Sequence, residues 1–368
     1  MAPTSVLVVD DSAFMRKMLT EIIQRDSGLT VVGAARDGSD ALRKDEELHP
    51  DVITLDVEMP VMDGYTTLVE LMKRGPRRVI MISSLTQAGA DITLRCLASG
   101  AIDFVAKPSG SISLDIERVA GDIIQKIKIA AISSIRRLSI PSTTVQSAPS
   151  PEGQTAVAAP ADKPAARMGT RNASGQLLVV GSSTGGPRAL YTLVAGLGNG
   201  LEIPGIIVQH MPPGFTRSLA SRLDQAGGLK VREAAEGDFL EPGTLLVAPG
   251  GTHLVLNVDR TVHLSSEPTV HGVRPAIDVT LESVVRTYGA HAMAILLTGM
   301  GRDGARGLKL LRDLGAHTFA EDESTCVVYG MPKAAVELNA VEHLLPLDDI
   351  APAVIAAAKS MPRLDAAA

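Results

Sequence analysis

Short apolar runs alternate with longer amphipathic stretches along this chain, and that alternation predicts most of its structure. Runs of strand length stand at 5–9 (SVLVV), 30–34 (TVVGA), 51–55 (DVITL), 78–82 (RVIMI) and 102–105 (IDFV). Helix-length segments lie near 12–26, 38–48, 65–74, 89–99 and 113–138. Strands alternating with helices imply right-handed crossovers and a parallel sheet covered on both faces. Five such units in about 130 residues predict a doubly wound, flavodoxin-like (βα)5 domain.

The alternation resumes at Leu177, with strands expected at 177–181, 205–209, 244–248, 292–297 and 316–320. Helices are expected at 187–197, 215–226, 276–288, 303–314, 331–338 and 348–360. Residues 252–265 (THLVLNVDRTVHLS) predict a β-hairpin turning at Asn257–Arg260. This is a second doubly wound, Rossmann-like α/β domain, mostly parallel. Between the two, residues 139–174 carry Pro141, Pro149, Pro151, Pro160 and Pro164 among Ser, Thr and Ala. Such a stretch buries too little apolar surface to offset its ordering entropy, so it reads as a flexible linker. The boundaries drawn are 1–130, a linker over 131–174, and 175–368.

Composition narrows the classes. The 368 residues have 45% hydrophobic and 21% charged positions and no Trp, so the cores must be aliphatic. A formal net charge of -6 argues against a nucleic-acid partner. Cys96 and Cys326 are too few for a disulfide framework or a cysteine metal cage. No apolar run reaches the length that spans a bilayer, and the N-terminus has no signal-peptide pattern. A cytoplasmic monomer without membrane insertion is expected.

Three carboxylates stand at strand ends: Asp10 and Asp11 after the first strand, Asp56 after the third. A parallel sheet gathers strand ends at one edge. Clustered carboxylates suit one Mg²⁺ completed by waters and a phosphoryl oxygen. Ser83, ending the fourth strand, and Lys107, after the fifth, offer a hydroxyl and an ammonium to the other oxygens of an aspartyl phosphate. One such Asp is more often a solvated loop residue; the set at successive strand ends points to a site. The motifs VVDDS (8–12), LDVEMPVMDG (55–64), SS (83–84) and KPS (107–109) resemble the receiver domain of two-component response regulators over residues 4–128. The resemblance implies that Asp56 is the phospho-acceptor and that Asp10, Asp11 and the Glu58 carbonyl hold Mg²⁺. It makes Ser83 the switch hydroxyl and Lys107 the phosphoryl contact.

In the second domain Ser182 and Ser183 end one apolar strand and precede Thr184-Gly185-Gly186-Pro187. His210 ends another, and Asp303 follows a third. Hydroxyl, imidazole and carboxylate thus share one sheet edge. A serine hydroxyl needs a base, imidazole serves at neutral pH, and a carboxylate fixes its tautomer. Serines at a strand–helix junction are also common N-caps, Thr-Gly-Gly could cradle a phosphate, and Asp303 could cap a helix. His253 and His263, in the hairpin, are expected at the surface. The motifs GSSTGGP (181–187), QHMPPGFT (209–216), APGG (248–251), RPAIDV (274–279), LTGMGRDG (297–304) and CVVYGMP (326–332) resemble the catalytic domain of chemotaxis response-regulator protein-glutamate methylesterases.

That resemblance implies Ser183 as nucleophile, His210 as base and Asp303 as orienting acid. It places Thr184 and Met300 beside the site, Met300 as a backbone donor. It implies hydrolysis of glutamate γ-methyl esters, and of specific glutamine amides, on chemoreceptors, with no cofactor for hydrolysis. A histidine kinase would be the phosphodonor. Arg302 departs from the small polar residue expected there and adds a cation beside Asp303 that could lower the pKa of that group. Two alternatives remain: a DNA-binding output domain, disfavoured by the acidic balance, and a phospho-dependent binding module with a vestigial triad.

Overall fold

The computed structural model describes residues 2–107, 115–133 and 175–361. The proline-rich stretch read as a linker lies outside them, as does Pro108 of the KPS motif.

The first domain runs β1 (Thr4–Val9), α1 (Ala13–Ile23), β2 (Leu29–Ala35), α2 (Gly38–Leu48), β3 (Val52–Asp56), α3 (Gly64–Arg74), β4 (Val79–Ser83), α4 (Gln87–Ala98), β5 (Asp103–Ala106) and α5 (Asp115–Ile132). Its sheet has the order β2-β1-β3-β4-β5, and every pairing is parallel. β3 and β4 are buried at all positions, as their unbroken apolar runs require. Ser12, Asp37, Asp63 and Thr86 each accept an N–H of the helix they precede. Helix α5 runs past the boundary drawn at 130, because Ile127, Ala130 and Ser133 stay buried.

The second domain runs β6 (Leu177–Ser182), α6 (Gly186–Leu197), β7 (Gly205–Gln209), α7 (Phe215–Asp224), β8 (Lys230–Glu233), β9 (Thr244–Val247), β10 (His253–Leu256) and β11 (Val262–Ser265). It continues with α8 (Ile277–Thr287), β12 (Ala292–Leu296), α9 (Ala305–Asp313), β13 (His317–Glu321), α10 (Met331–Glu337), β14 (His343–Leu345) and α11 (Leu347–Ser360). Seven parallel strands take the order β14-β13-β12-β6-β7-β9-β8. β10 and β11 form the predicted hairpin as a separate two-stranded sheet.

The hairpin histidines differ from expectation in one case. His263 is half exposed beside Glu236. His253 is buried, with Nδ1 accepting the Ala276 N–H and Nε2 3.1 Å from the Pro268 carbonyl. It is covered by the segment between β11 and α8, whose Pro268 carbonyl and Ala276 N–H meet the two ring nitrogens, while Leu254 and Leu256 on the other face of the strand pack on α8.

The helices nearest the predicted hydrolytic residues start differently from those of the first domain. α6, α7 and α9 follow Gly185, Gly214 and Gly304, at φ 79, 87 and 86, and none has a side-chain cap. The first N–H of each turns back to a backbone carbonyl, Gly186 to Ser183, Phe215 to Pro212 and Ala305 to Arg302, so the three helices start at the sheet edge that carries Ser183, His210 and Asp303. At Gly304 a side chain would also collide with Leu296 and Ile277.

The two domains share one apolar cluster, which runs from Leu97 and Phe104 to Phe215 and Leu219. Phe104 stacks on Phe215 with ring centroids 4.5 Å apart. Gln87, at the start of α4, donates to Ser218 on α7 at 2.5 Å. Among the described residues no helix is long and apolar enough to cross a membrane.

Candidate active site and its receiver

At the edge of the first sheet, Asp10 and Asp56 are buried and Asp11 is exposed, with ligand atoms of all three within 4.8 Å of one another. Lys107 Nζ lies 2.8 Å from Asp56 Oδ1 and 3.4 Å from Asp10 Oδ2. Asp56 Oδ2 is buried without a hydrogen bond. Burial pushes the Asp56 carboxyl up to about 6 against the pull of Lys107. An orphaned carboxylate oxygen among three acids is the donor set a small hard cation takes, so these residues fit Mg²⁺. The Glu58 N–H reaches Asp56 Oδ1 at 3.4 Å. The Ser83 hydroxyl is engaged with α4: it accepts from Thr93 Oγ1 at 2.7 Å and donates to the Gly89 carbonyl at 3.3 Å.

Asp56 carries a stability cost. Its folded pKa lies above the ordinary carboxylate value, so ionising it destabilises the fold as pH rises through about 4 to 6. Asp56→Asn should stabilise the metal-free protein at pH 7, by up to about 3 kcal/mol. Urea unfolding of both proteins in chelator checks this; a less stable variant contradicts it.

In the second domain, strand geometry separates the two serines. Successive side chains of a strand point to opposite faces. Ser182 is fully buried and its hydroxyl donates to Gln209 Oε1 at 2.7 Å. Ser183 lies on the cleft with His210, Thr184, Met300 and Asp303. Gln209 ties the strand ends together, its Nε2 donating to the carbonyls of Ser183 and His210 at 2.9 and 3.1 Å. Gly299 leaves room for Ser183, since a side chain there would lie 2.7 Å from Ser183 Cβ.

His210 Nε2 lies 2.8 Å from Asp303 Oδ2. The same oxygen accepts the Ile277 N–H at 2.7 Å, and Oδ1 accepts those of Asp278 and Gly304, both at 3.0 Å. Asp303 is therefore clamped by the first turn of α8. Burial pushes its carboxyl up, but the His210 contact and the Asp278 and Ile277 N–H groups outweigh that and hold it below the usual carboxylate range. Arg302, the cation next to it in sequence, is exposed and is not what lowers it. With Nε2 on the acid, Nδ1 is the ring nitrogen left for a serine proton.

The first domain closes over this cleft. Phe104, Lys107, Gln125 and Lys126 line it together with Ser183 and His210, around a half-open space of about 1120 Å³. Thr184, beside Ser183, donates its hydroxyl to Asp103 of β5 at 2.5 Å. Lys126 holds the other oxygen of Asp103 at 3.3 Å. Sequence reasoning missed Gln209, Asp278 and Asp103 as participants. The first two lie inside motifs already singled out, QHMPPGFT and RPAIDV.

The CheB methylesterase family model matches residues 178–354, and the response regulator receiver domain model matches residues 6–116. A relative from Symbiobacterium thermophilum named protein-glutamate methylesterase/protein-glutamine glutaminase is 49% identical over 359 residues, 96% of each chain. One of the same name from Thermotoga maritima is 43% identical over 344 residues, 93% of this chain and 94% of the relative. The crystal structure of the Thermotoga maritima CheB methylesterase catalytic domain has 42% sequence identity, a TM-score of 0.49, and covers 50% of this chain and 99% of its own. Identity of this order along nearly the whole of both chains means that this protein belongs to the CheB methylesterase family, its methylesterase domain preceded by a response regulator receiver domain.

Proposed function

We propose that this chain is a phosphorylation-activated hydrolase that removes γ-methyl esters from glutamate side chains of chemoreceptors and deamidates specific receptor glutamines. The observation that carries the reading is the pair of buried Asp303 and partly exposed His210, bonded at 2.8 Å and opening onto the cleft beside Ser183. The names of the relatives over nearly full length support glutamate esters and glutamine amides of a protein as its substrates. The functional units are the receiver over 1–130, a linker over 131–174 and the methylesterase over 175–368. A chemotaxis histidine kinase supplies the phosphoryl group, and the chain works in the cytoplasm as a monomer.

Each residue then has a task. Ser183 Oγ attacks the ester carbonyl carbon while His210 Nδ1 takes its proton. The carbonyl oxygen becomes an oxyanion, met by the backbone N–H groups of Thr184 and Met300. Collapse breaks the C–O bond, and His210 returns the proton to the leaving methoxide, giving methanol. Water, deprotonated by His210, then attacks the acyl-serine, and Ser183 recovers its proton as the glutamate carboxylate leaves. With a glutamine substrate the leaving group is ammonia. Asp303 holds the imidazole and balances the imidazolium. In the receiver, Asp10, Asp11, Asp56 and the Glu58 carbonyl would hold Mg²⁺, whose charge would offset that of the phosphoryl oxygens on Asp56. Lys107 and Ser83 would meet the remaining oxygens.

The depressed Asp303 pKa sets the form of the pH profile. Because that carboxyl stays ionised as pH falls toward its ordinary value, it adds no second proton to the acid limb. The logarithm of kcat/KM should fall with unit slope on acidification. A two-proton limb above pH 5 would show that the acid titrates with the base. The reading as a whole is tested by assaying the Ser183→Ala and His210→Gln variants for methanol release from methylated receptors, where both should be inactive.

A further inference from the structure

A second histidine stands in the wall of the cleft, against Asp303. His271 Nε2 lies 3.1 Å from Asp278 Oδ2 and 3.9 Å from Asp303 Oδ1. Neither the triad nor the receiver contact uses it. The turn that carries it is an uncommon place for histidine. Val270 and Val273 exchange both backbone hydrogen bonds, at 3.2 and 3.0 Å, leaving a two-residue turn with φ 55 at His271 and 78 at Gly272. Two-residue turns with both φ positive favour Asn, Asp or Gly at the first position. A residue held there against its preference suggests that its side chain has a task.

The partner is a buried carboxylate with defined contacts. Asp278 is 1% exposed. Its Oδ1 accepts the Gly307 N–H at 2.8 Å, which ties the first turn of α8 to α9. Its own N–H donates to Asp303 Oδ1 at 3.0 Å. His271 is the side chain on Oδ2. Asp278 and Asp303 therefore sit side by side, and two buried carboxylates repel unless donors hold them apart. If Asp278 moved, the Ile277 and Asp278 N–H groups that orient Asp303 would move with it.

We propose that His271 is a positioning residue for the hydrolytic reaction: it donates from Nε2 to Asp278, fixes the first turn of α8, and through it holds Asp303 on His210. The inference rests on the triad reading above. It is tested on the full chain activated with acetyl phosphate and Mg²⁺, by methanol release from methylated receptors together with thermal unfolding. His271→Asn suits the turn, but its shorter amide does not reach Asp278. The better turn residue offsets part of the lost donor, so the variant should stay folded and melt within several degrees of wild type while kcat falls about tenfold and KM holds. His271→Gln keeps a donor of the right reach and should stay within about threefold of wild type. Wild-type kcat in His271→Asn overturns the proposal, as does a Gln variant as slow as the Asn variant, or a change confined to KM. Ser183→Ala, run alongside, separates the two readings. Activity there sinks the triad, whereas an inactive Ser183→Ala with a fully active His271→Asn sinks only the role of His271.

Discussion

Ser183→Ala should lose ester hydrolysis by on the order of 10⁴-fold or more and keep its stability nearly unchanged. The hydroxyl lies at a cleft edge and packs little, so its removal costs the fold almost nothing. Ser182→Ala should behave in the opposite way. Its hydroxyl is buried on Gln209 Oε1, so deletion leaves a buried acceptor unpaired and costs about 1–3 kcal/mol. Its activity should remain within about tenfold of wild type, any loss coming through Gln209, which braces the carbonyls of Ser183 and His210. Methanol release and urea unfolding of the two variants check both halves. An inactive Ser182→Ala beside an active Ser183→Ala would reverse the assignment.

The second large effect concerns the receiver. Fragment 175–368 should hydrolyse receptor esters faster than the unphosphorylated full chain, on the order of tenfold or more. The cover it loses is specific. Phe104 stacks on Phe215, Gln87 bonds Ser218, and Asp103, braced by Lys126, takes the hydroxyl of Thr184 next to the nucleophile. A tether keeps such a contact at high effective concentration, so a modest interface suffices. Phosphorylation then needs to favour the open form by only about 1.4–2.8 kcal/mol to raise its population ten- to a hundredfold while it stays rare. The route we propose starts at Ser83. In this structure its hydroxyl is bonded to Thr93 and Gly89 on α4, the helix that packs on α7. Turning to a phosphoryl group on Asp56, it would release those bonds and loosen α4. Asp56→Asn should abolish activation by acetyl phosphate without lowering basal activity. A fragment no faster than the intact unphosphorylated protein would leave receptor recruitment as the receiver's role.

Much of this was legible in the chain because its strands are buried on both faces. Unbroken apolar runs such as LLVVG and GIIVQ mark a central strand without help from tertiary context. The strands that escaped notice are β8 and β14, both at the sheet edges. β8 reads KVRE and β14 is three residues long, so neither offers an apolar run. His253 was misplaced because a hairpin histidine gives no sign of the segment after β11 that will fold back over it. The placement of Ser183, His210 and Asp303 at one sheet edge was readable from strand ends plus motifs. The clamp on Asp303 was not, because backbone N–H groups of α8 leave no mark in side-chain identity. Nor was the Thr184–Asp103 contact, which joins residues far apart in sequence across two domains.

The measurement that bears most directly on the account is methanol release from methylated chemoreceptor preparations by the full chain, with and without acetyl phosphate and Mg²⁺. The account predicts slow basal release, at least tenfold faster release with the phosphodonor, and none in either condition for Ser183→Ala. Release that ignores the phosphodonor, or that survives loss of the Ser183 hydroxyl, would contradict it.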